Sequence, residues 1–425
     1  MRLVIEEVPA VAGKVNVHVD RDRGKVRIEF GVVQEPRFFE RFLKGRPAVQ
    51  VPYVMSRICG VCSVVHLTCS IEAVEKALGL VPKPEIHMLR SIAKGLEIVQ
   101  NNFIHVLMAL PDFTGHGNVI TFSKAYPGLF NRMMETNKMI LEAYNRIGGR
   151  FVHTPSLGVA VHGKPVSRYE LQTASRLLQQ VARELEDLAL NLEDLWKPLA
   201  EGFTDPAPEY CCLNPVENWY PFFSEELRFS DGNVVKAENY GEVLNERNVS
   251  YSNSHYVLYR NSPFHVGSRA RLQAYVNMLS QSVLELEKTL RLDFLNPFDN
   301  VKSQYIEVAY LADILSHSLD ELAASIRGRI EPFYTERSFN NSGEGVALAA
   351  APRGVLIHHY KITNGRLEYA NIITPTVMNA RHMEVAGEAL VKWAYDNGIE
   401  CDERVKHLVS ALVRAYDPCL PCSVH

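Results

Sequence analysis

Two Cys-x-x-Cys pairs at opposite ends of the chain constrain this sequence more than anything else in it. Cys59 and Cys62 lie near the amino end, and Cys419 and Cys422 lie close to the last residue, His425. Eight cysteines in 425 residues are too few for a disulfide scaffold, and paired thiols read first as metal ligands or redox groups. Two thiols three residues apart converge only where the backbone turns tightly. Gly60 permits such a turn in the first pair, and Pro418 and Pro421 stiffen it in the second. Soft sulfur ligands suit zinc, an iron–sulfur centre or a late transition metal. A four-cysteine zinc stapling the chain ends together is the plainest reading, although such staples usually close shorter loops. Spacing alone leaves zinc, iron–sulfur and unmetallated core thiols open.

Composition narrows the class. With 45 Lys+Arg against 49 Asp+Glu, the formal charge is -4, which argues against a nucleic-acid partner. At 47% hydrophobic the chain can bury a core. No apolar run approaches the ~20 residues that span a bilayer. The amino end carries neither a twin-arginine nor a secretory signal, so a cytoplasmic protein is expected. There is no internal repeat and no linker-like tract, so residues 1–425 read as a single domain.

The pattern predicts an α+β, mainly α fold: a long antiparallel helical bundle with β hairpins at its ends. Val15, Val17 and Val19, then Val26, Ile28, Phe30 and Val32, alternate with polar residues around a turn at 20–24, giving an amino-terminal β region over 1–50. Between Ser167 and Leu195, Leu171, Ala174, Leu178, Val181, Leu185, Leu188, Leu192 and Leu195 make one stripe, opened by the capping pair Ser167 and Glu170. Helices are also predicted over 82–110, 128–147, from Leu272 to Leu290, and from Val308 to Ile326. The bundle thus covers 51–200 and 270–330, with an irregular stretch over 202–268. Asn364-Gly365 signals a second hairpin in a β region over 345–378. Short helices at 379–397 and 402–416 lead into the tail.

The segments Arg57-Ile58-Cys59-Gly60-Val61-Cys62-Ser63-Val64-Val65-His66 and Asp417-Pro418-Cys419-Leu420-Pro421-Cys422-Ser423-Val424-His425 together resemble the large subunit of nickel–iron hydrogenases. That family carries Arg-x-Cys-Gly-x-Cys-x-x-x-His near its amino end and Asp-Pro-Cys-x-x-Cys-x-x-His at its carboxy end. Pro36-Arg37-Phe38-Phe39-Glu40, Ala351-Pro352-Arg353-Gly354, and Thr374-Pro375-Thr376 with Asn379 are similar to further family segments, and Pro263-Phe264-His265-Val266-Gly267 matches more loosely. The likeness extends over essentially the whole chain.

The resemblance implies a Ni-Fe(CO)(CN)2 centre. Cys62 and Cys422 would bridge nickel and iron, and Cys59 and Cys419 would be terminal on nickel, one terminal sulfur accepting the proton from H2. Arg353 and the hydroxyl of Thr376 would donate to the cyanides, while Leu356 and Pro375 wall the carbonyl. Asp417 would be the counter-ion of Arg353, with Asp112 a weaker candidate, and His66 would bond a bridging thiolate. His425, Glu40 and a carbonyl near Ile372 would hold magnesium. The family's carboxy-terminal extension is removed after this histidine, so a maturation protease and nickel-insertion factors are implied partners.

Cys69, Cys211, Cys212 and Cys401 have no cluster spacing, so iron–sulfur clusters are expected on a partner small subunit. The chain is most similar to the cytoplasmic sulfhydrogenase type, which couples H2 to NAD(P) through flavin-bearing reductase subunits. Coupling to a deazaflavin coenzyme or a heterodisulfide reductase is the alternative. A metal-free structural subunit of a larger redox complex is the reading from another class, and the retention of all four thiols opposes it. One departure stands out. Where the family usually begins Arg-x-Glu-Gly, this chain reads Ala10-Val11-Ala12-Gly13. Ala12 cannot carry a proton, so water or another side chain must replace that relay, and exchange with solvent is expected to be slow.

Overall fold

The computed structural model describes residues 2–6, 8, 13–22, 25–215, 220–332 and 339–425. Four helices make the bundle. They are α2 (Pro84–Thr114), α3 (Pro127–Gly148), α4 (Arg168–Glu193) and α5 (Asn300–Ser325), following α1 (Ser63–Leu78) in the chain. In the bundle α2 packs on α3, α3 on α4, α4 on α5, and α5 back on α2. Helices α2 and α5 run antiparallel, as the pairs His105 with Gln304 and Asn102 with Glu307 require. The α4 stripe is buried from Leu171 to Leu192. Its capping box forms as the sequence predicts: Ser167 Oγ accepts the Glu170 N–H, and Glu170 accepts the Ser167 N–H.

The stripe from Leu272 to Leu290 is not one helix. Two helices, Ser268–Tyr275 and Gln281–Leu290, flank a short 3-10 turn, and Ser280 is extended at φ −65°, ψ 160°. The stripe residues Leu272, Tyr275, Leu279, Val283, Leu286 and Leu290 are nonetheless buried. Periodicity reports which residues face the core and does not register a break that keeps them there.

The amino-terminal strands β1 (Arg2–Ile5), β2 (Val15–Asp22) and β3 (Lys25–Val32) form an antiparallel sheet; residues 23 and 24 of its turn lie outside the described residues. A second sheet carries the site. Its strands are β4 (Gly343–Ala351), β5 (Gly354–Thr363) and β6 (Arg366–Ile373), with Phe223–Ser224 along the outer edge of β4. The β5–β6 turn is Asn364 and Gly365, both left-handed at φ 49° and 70°, as its dipeptide predicts. The β4–β5 turn is also two residues, since Ala351 pairs with Gly354, and Arg353 stands at its tip. Helix α1 lies on β4 and β5. The approach is close: a Cβ on Gly345 would come within 2.2 Å of the Ala73 carbonyl oxygen. Beyond β6 the chain forms α6 (Pro375–Asp396) and α7 (Asp402–Ala415), then returns to α1.

Candidate metal centre

The first thiol pair occupies the turn into α1. Cys59 leaves a short helix in extended conformation, and its Sγ accepts the N–H groups of Val61 at 3.2 Å and Cys62 at 3.4 Å. Gly60 is not at a left-handed angle, and a Cβ there would meet nothing within 4 Å. The N–H···S bonds make this turn, and glycine is not needed for it. In the tail, α7 ends and Asp417 turns left-handed at φ 52°, and Pro418 prevents the helix from resuming.

That reversal carries the second pair onto the first. Sγ of Cys59 lies 3.4 Å from that of Cys419, Cys62 lies 3.4 Å from Cys422, and Cys419 lies 3.1 Å from Cys422. All four sulfurs are buried and within 4.8 Å of one another, and no other group of three or more potential ligands assembles so among the described residues. Thiols packed this tightly titrate together. Sulfur-bound hydrogens, that of Cys419 first, hold Cys59 well below the ordinary thiol range. Cys62 and Cys422 are pushed well above it, first by the neighbouring Cys419 sulfur. One thiolate is easily made here, whereas four in a dry site demand a cation.

Cys62, Cys419 and Cys422, though not Cys59, also face an enclosed cavity walled by Val65, His66, Ala351, Pro352, Arg353, Leu356, Pro375 and Thr376. Arg353 gives Nε–H to the Asp417 carbonyl at 2.8 Å, Nη2–H to Asp417 Oδ1 at 2.9 Å, and Nη1–H to Asn101 Oδ1 at 3.0 Å. Two of its five N–H groups have no acceptor among the described residues. Thr376 Oγ1 accepts the Cys419 N–H at 2.9 Å, which leaves its own hydrogen to donate. Sulfur on one side, with a cation, a hydroxyl and carbon on the other, suits a metal bearing small anionic ligands. A closed zinc staple needs no such cavity.

The profile of the nickel-dependent hydrogenase family matches residues 37–126 and 216–425, which include both thiol pairs, Arg353 and Thr376. The chain belongs to that family. The alpha chain of sulfhydrogenase 1 from Pyrococcus furiosus is 29% identical to it over 100% of this chain and 97% of its own length. An F420-non-reducing hydrogenase chain from Methanothermobacter thermautotrophicus is 27% identical over 100% and 95%. The fold matches the crystal structure of an NAD+-reducing NiFe hydrogenase in the H2-reduced state, with TM-score 0.85 and 22% identity over 100% of this chain and 99% of that one. The protein is therefore the catalytic chain of a hydrogenase, an oxidoreductase acting on H2.

Around the thiols of this hydrogenase, a second layer holds them in place. His66 Nε2 lies 3.5 Å from Cys422 Sγ, and its Nδ1 lies 3.2 Å from His358 Nε2. His358 meets the Tyr360 hydroxyl, which donates to Ser70 at 2.8 Å. Burial pushes His66 down to about 4, so it is a neutral imidazole whose tautomer is set along this chain. Arg37 ties the two thiol segments together, donating to the carbonyls of Ile58 and Pro421. Glu40, Ile372 and His425 converge: Glu40 Oε1 accepts the Ile372 N–H at 2.7 Å and lies 3.7 Å from His425 Nε2, and His425 Nδ1 is 2.6 Å from the Cys422 carbonyl.

Asp112 does not serve Arg353. It takes both of its bonds from Arg414, at 2.7 Å each, because it lies near the end of α2 beside α7. Three further buried groups, outside the two thiol segments, support the site. Glu97 accepts the Val64 and Val65 N–H groups at 2.8 Å each, filling the open end of α1. Asn101 shares Arg353 with Asp417 and donates to the Val61 carbonyl. Arg271, paired with Glu307 at 2.6 Å and 2.8 Å, donates to the carbonyls of Ala351 at 2.9 Å and Pro352 at 3.2 Å, clamping the turn that bears Arg353. Glu97 and Asn101 carry a visible signal, polar residues on the core-facing stripe of a long apolar helix. Ala12 lies outside the described residues. Gly13, at φ 110°, passes so close to the tail that a Cβ would sit 2.8 Å from that of Leu420.

Proposed function

We propose that Cys59, Cys62, Cys419 and Cys422 would together hold a Ni-Fe(CO)(CN)2 centre, their four sulfurs being the only such group among the described residues. The observation that carries this reading is the cavity: the sulfurs face it from one side, and a buried arginine and a hydroxyl with hydrogens to give face it from the other. When bound, this group supplies a redox metal at which H2 is cleaved heterolytically. The protein's part is to hold, orient and move the proton. Cys59 Sγ already accepts two N–H groups and is the weaker base, so Cys419 Sγ takes the proton. Arg353 and Thr376 would donate to the cyanide nitrogens, and Leu356 and Pro375 would keep water from the carbonyl. Asp417 and Asn101 fix the guanidinium plane, and His66 donates Nε2–H to the Cys422 thiolate. His425, Glu40 and a main-chain carbonyl near Ile372 would hold magnesium, which would pin the tail.

Residues 1–425 act as one large-subunit unit. The four remaining cysteines form no cluster, so electrons leave through iron–sulfur clusters on a small-subunit partner, then to NAD(P) in a cytoplasmic assembly. Full-length similarity to the alpha chain of a sulfhydrogenase and the fold shared with an NAD+-reducing enzyme support that acceptor; among the described residues no helix is long and apolar enough to cross a membrane. The F420-non-reducing relatives favour a different acceptor as the second reading. Metal analysis with infrared spectroscopy tests the centre: nickel and iron in equal amounts with one carbonyl and two cyanide bands are expected, and zinc alone would refute it. Reduction of NAD+ or NADP+ by H2 with the purified complex tests the acceptor.

A further inference from the structure

His105 stands on α2 one turn beyond Asn101, buried between α5 and the end of α7. Its Nδ1 lies 2.5 Å from Gln304 Oε1, and its Nε2 lies 2.9 Å from the Arg414 carbonyl oxygen. That carbonyl also accepts the Asp417 N–H at 2.8 Å, so the ring meets the chain reversal that brings Asp417 to Arg353. Asp417 Oδ1 is itself 3.7 Å from Nε2.

Both ring nitrogens thus face oxygen. A neutral imidazole has one N–H and one bare nitrogen, so a neutral His105 would set a lone pair against one of these oxygens. The Arg414 carbonyl cannot become a donor. Gln304 becomes one only by turning its amide over, and two carboxylates oppose that. Glu307 Oε2 takes the amide N–H of Asn102 at 2.8 Å, which directs Asn102 Oδ1 at Gln304. Gln304 Nε2 faces that oxygen at 3.5 Å and Asp417 Oδ2 at 3.3 Å. With the amide reversed, oxygen would meet oxygen in both places. Turning the imidazole ring over would set carbon against both acceptors and lose both bonds. Asn102, Gln304, Glu307 and Asp417 are all buried, so bulk water does not supply the missing donor.

We propose that His105 is an imidazolium, with hydrogen on both ring nitrogens, and that it is a positioning residue of the hydrogenase site. One N–H holds the Arg414 carbonyl at the reversal. The other holds Gln304 in the orientation that donates to Asp417, and Asp417 in turn holds Arg353. The charge adds to the geometry. Around His105, Asp417 is paired with Arg353, Arg414 with Asp112, and Glu307 with Arg271. Each of these pairs is neutral, so the imidazolium gives the group one positive charge in excess. A dry pocket holds thiolates and anionic metal ligands only against positive charge, and neither thiol segment carries this one. The hydrogen count stands on the contacts of His105 alone, whereas the use of its charge rests on the four-thiol reading.

Neutron diffraction from crystals of the native holoenzyme, exchanged into heavy water at neutral pH, reads the count directly and needs no variant. Deuterium on both nitrogens of His105 is expected, with Gln304 Nε2 toward Asp417. One bare ring nitrogen overturns the proposal. Infrared spectroscopy of the holoenzyme tests the role. His105→Gln replaces the cation by an amide, and Gln304→Met removes the oxygen that requires hydrogen on Nδ1. Losing positive charge leaves the metals richer in electrons, so the stretching band of the proposed carbonyl should move to lower wavenumber in both variants. His105→Lys, which restores a cation, should recover part of the shift. A band that stays at the native position, in whichever of the two variants loads metal, overturns the positioning role. A native holoenzyme without carbonyl and cyanide bands overturns the reading of the metal centre, and the role of the charge with it, while the neutron result still decides the hydrogen count.

Discussion

Arg271 touches none of the four thiols, yet the structure makes it a support for Arg353, which lines the cavity beside them. Its guanidinium is bound by both oxygens of Glu307 and spans the Ala351 and Pro352 carbonyls, so Arg353 projects from a turn held from behind. Arg271→Met keeps much of the volume and removes the charge. Glu307 keeps Asn102, Ser268 and Tyr220 as donors but loses its only guanidinium among the described residues. Removing one partner of a buried pair costs about 3–5 kcal/mol. A chain of 425 residues unfolds with an entropy of about 0.9 kcal/mol/K, so the melting temperature should fall by about 3–6 °C. Calorimetry of the purified protein measures this, with Glu331→Gln as control because its pair with Arg329 is exposed and worth little. The stretching bands of the proposed cyanides should shift as well, since the turn no longer holds Arg353 in one place. If Arg271→Met melts no lower than the control and those bands do not move, the clamp argument is wrong.

Three further outcomes are expected. His425→Ala removes the contacts to the Cys422 carbonyl and Glu40, and should lower the nickel retained per chain after dialysis, read by metal analysis; unchanged nickel and activity would remove His425 from the tail's anchorage. Glu97 holds its proton to about 8 when folded against 4.5 in an open chain. The folded state therefore binds the extra proton in that window, and this carboxyl's contribution to stability declines as pH rises from about 4.5 to about 8. Melting curves of the metal-free protein should show the native-minus-variant difference for Glu97→Gln falling between about pH 5 and about pH 8, and a flat difference contradicts it. Gly345→Ala forces a methyl against the Ala73 carbonyl and should cost about 1–3 kcal/mol, read by denaturant unfolding.

Local chemistry was legible in the sequence. The two thiol pairs, the capping box at Ser167, the Asn364-Gly365 turn and the core stripe of α4 each depend on residues a few positions apart, whose spacing is itself the physical constraint. The metal was harder: from spacing alone zinc and iron–sulfur stayed open, because a Cys-x-x-Cys pair says nothing about what faces it. What faces the sulfurs, Arg353 held by the returning Asp417 and Thr376 across the cavity, comes from the tertiary structure. Asp112 shows the same limit from the other side, since any buried acid is a plausible counter-ion until packing delivers Arg414 to it. The break at Ser280 escaped for the opposite reason, that burial is preserved across it. Glu97 and Asn101 were half visible as polar members of an apolar stripe, but their partners at Val61, Val64 and Val65 come from the reversal between the helices. Sequence determines which side chains can bind, cap or turn, because those are short-range properties of the chain. The tertiary structure alone decides which of them meet in a dry interior, where desolvation makes an unpaired charge so costly that each pairing becomes specific.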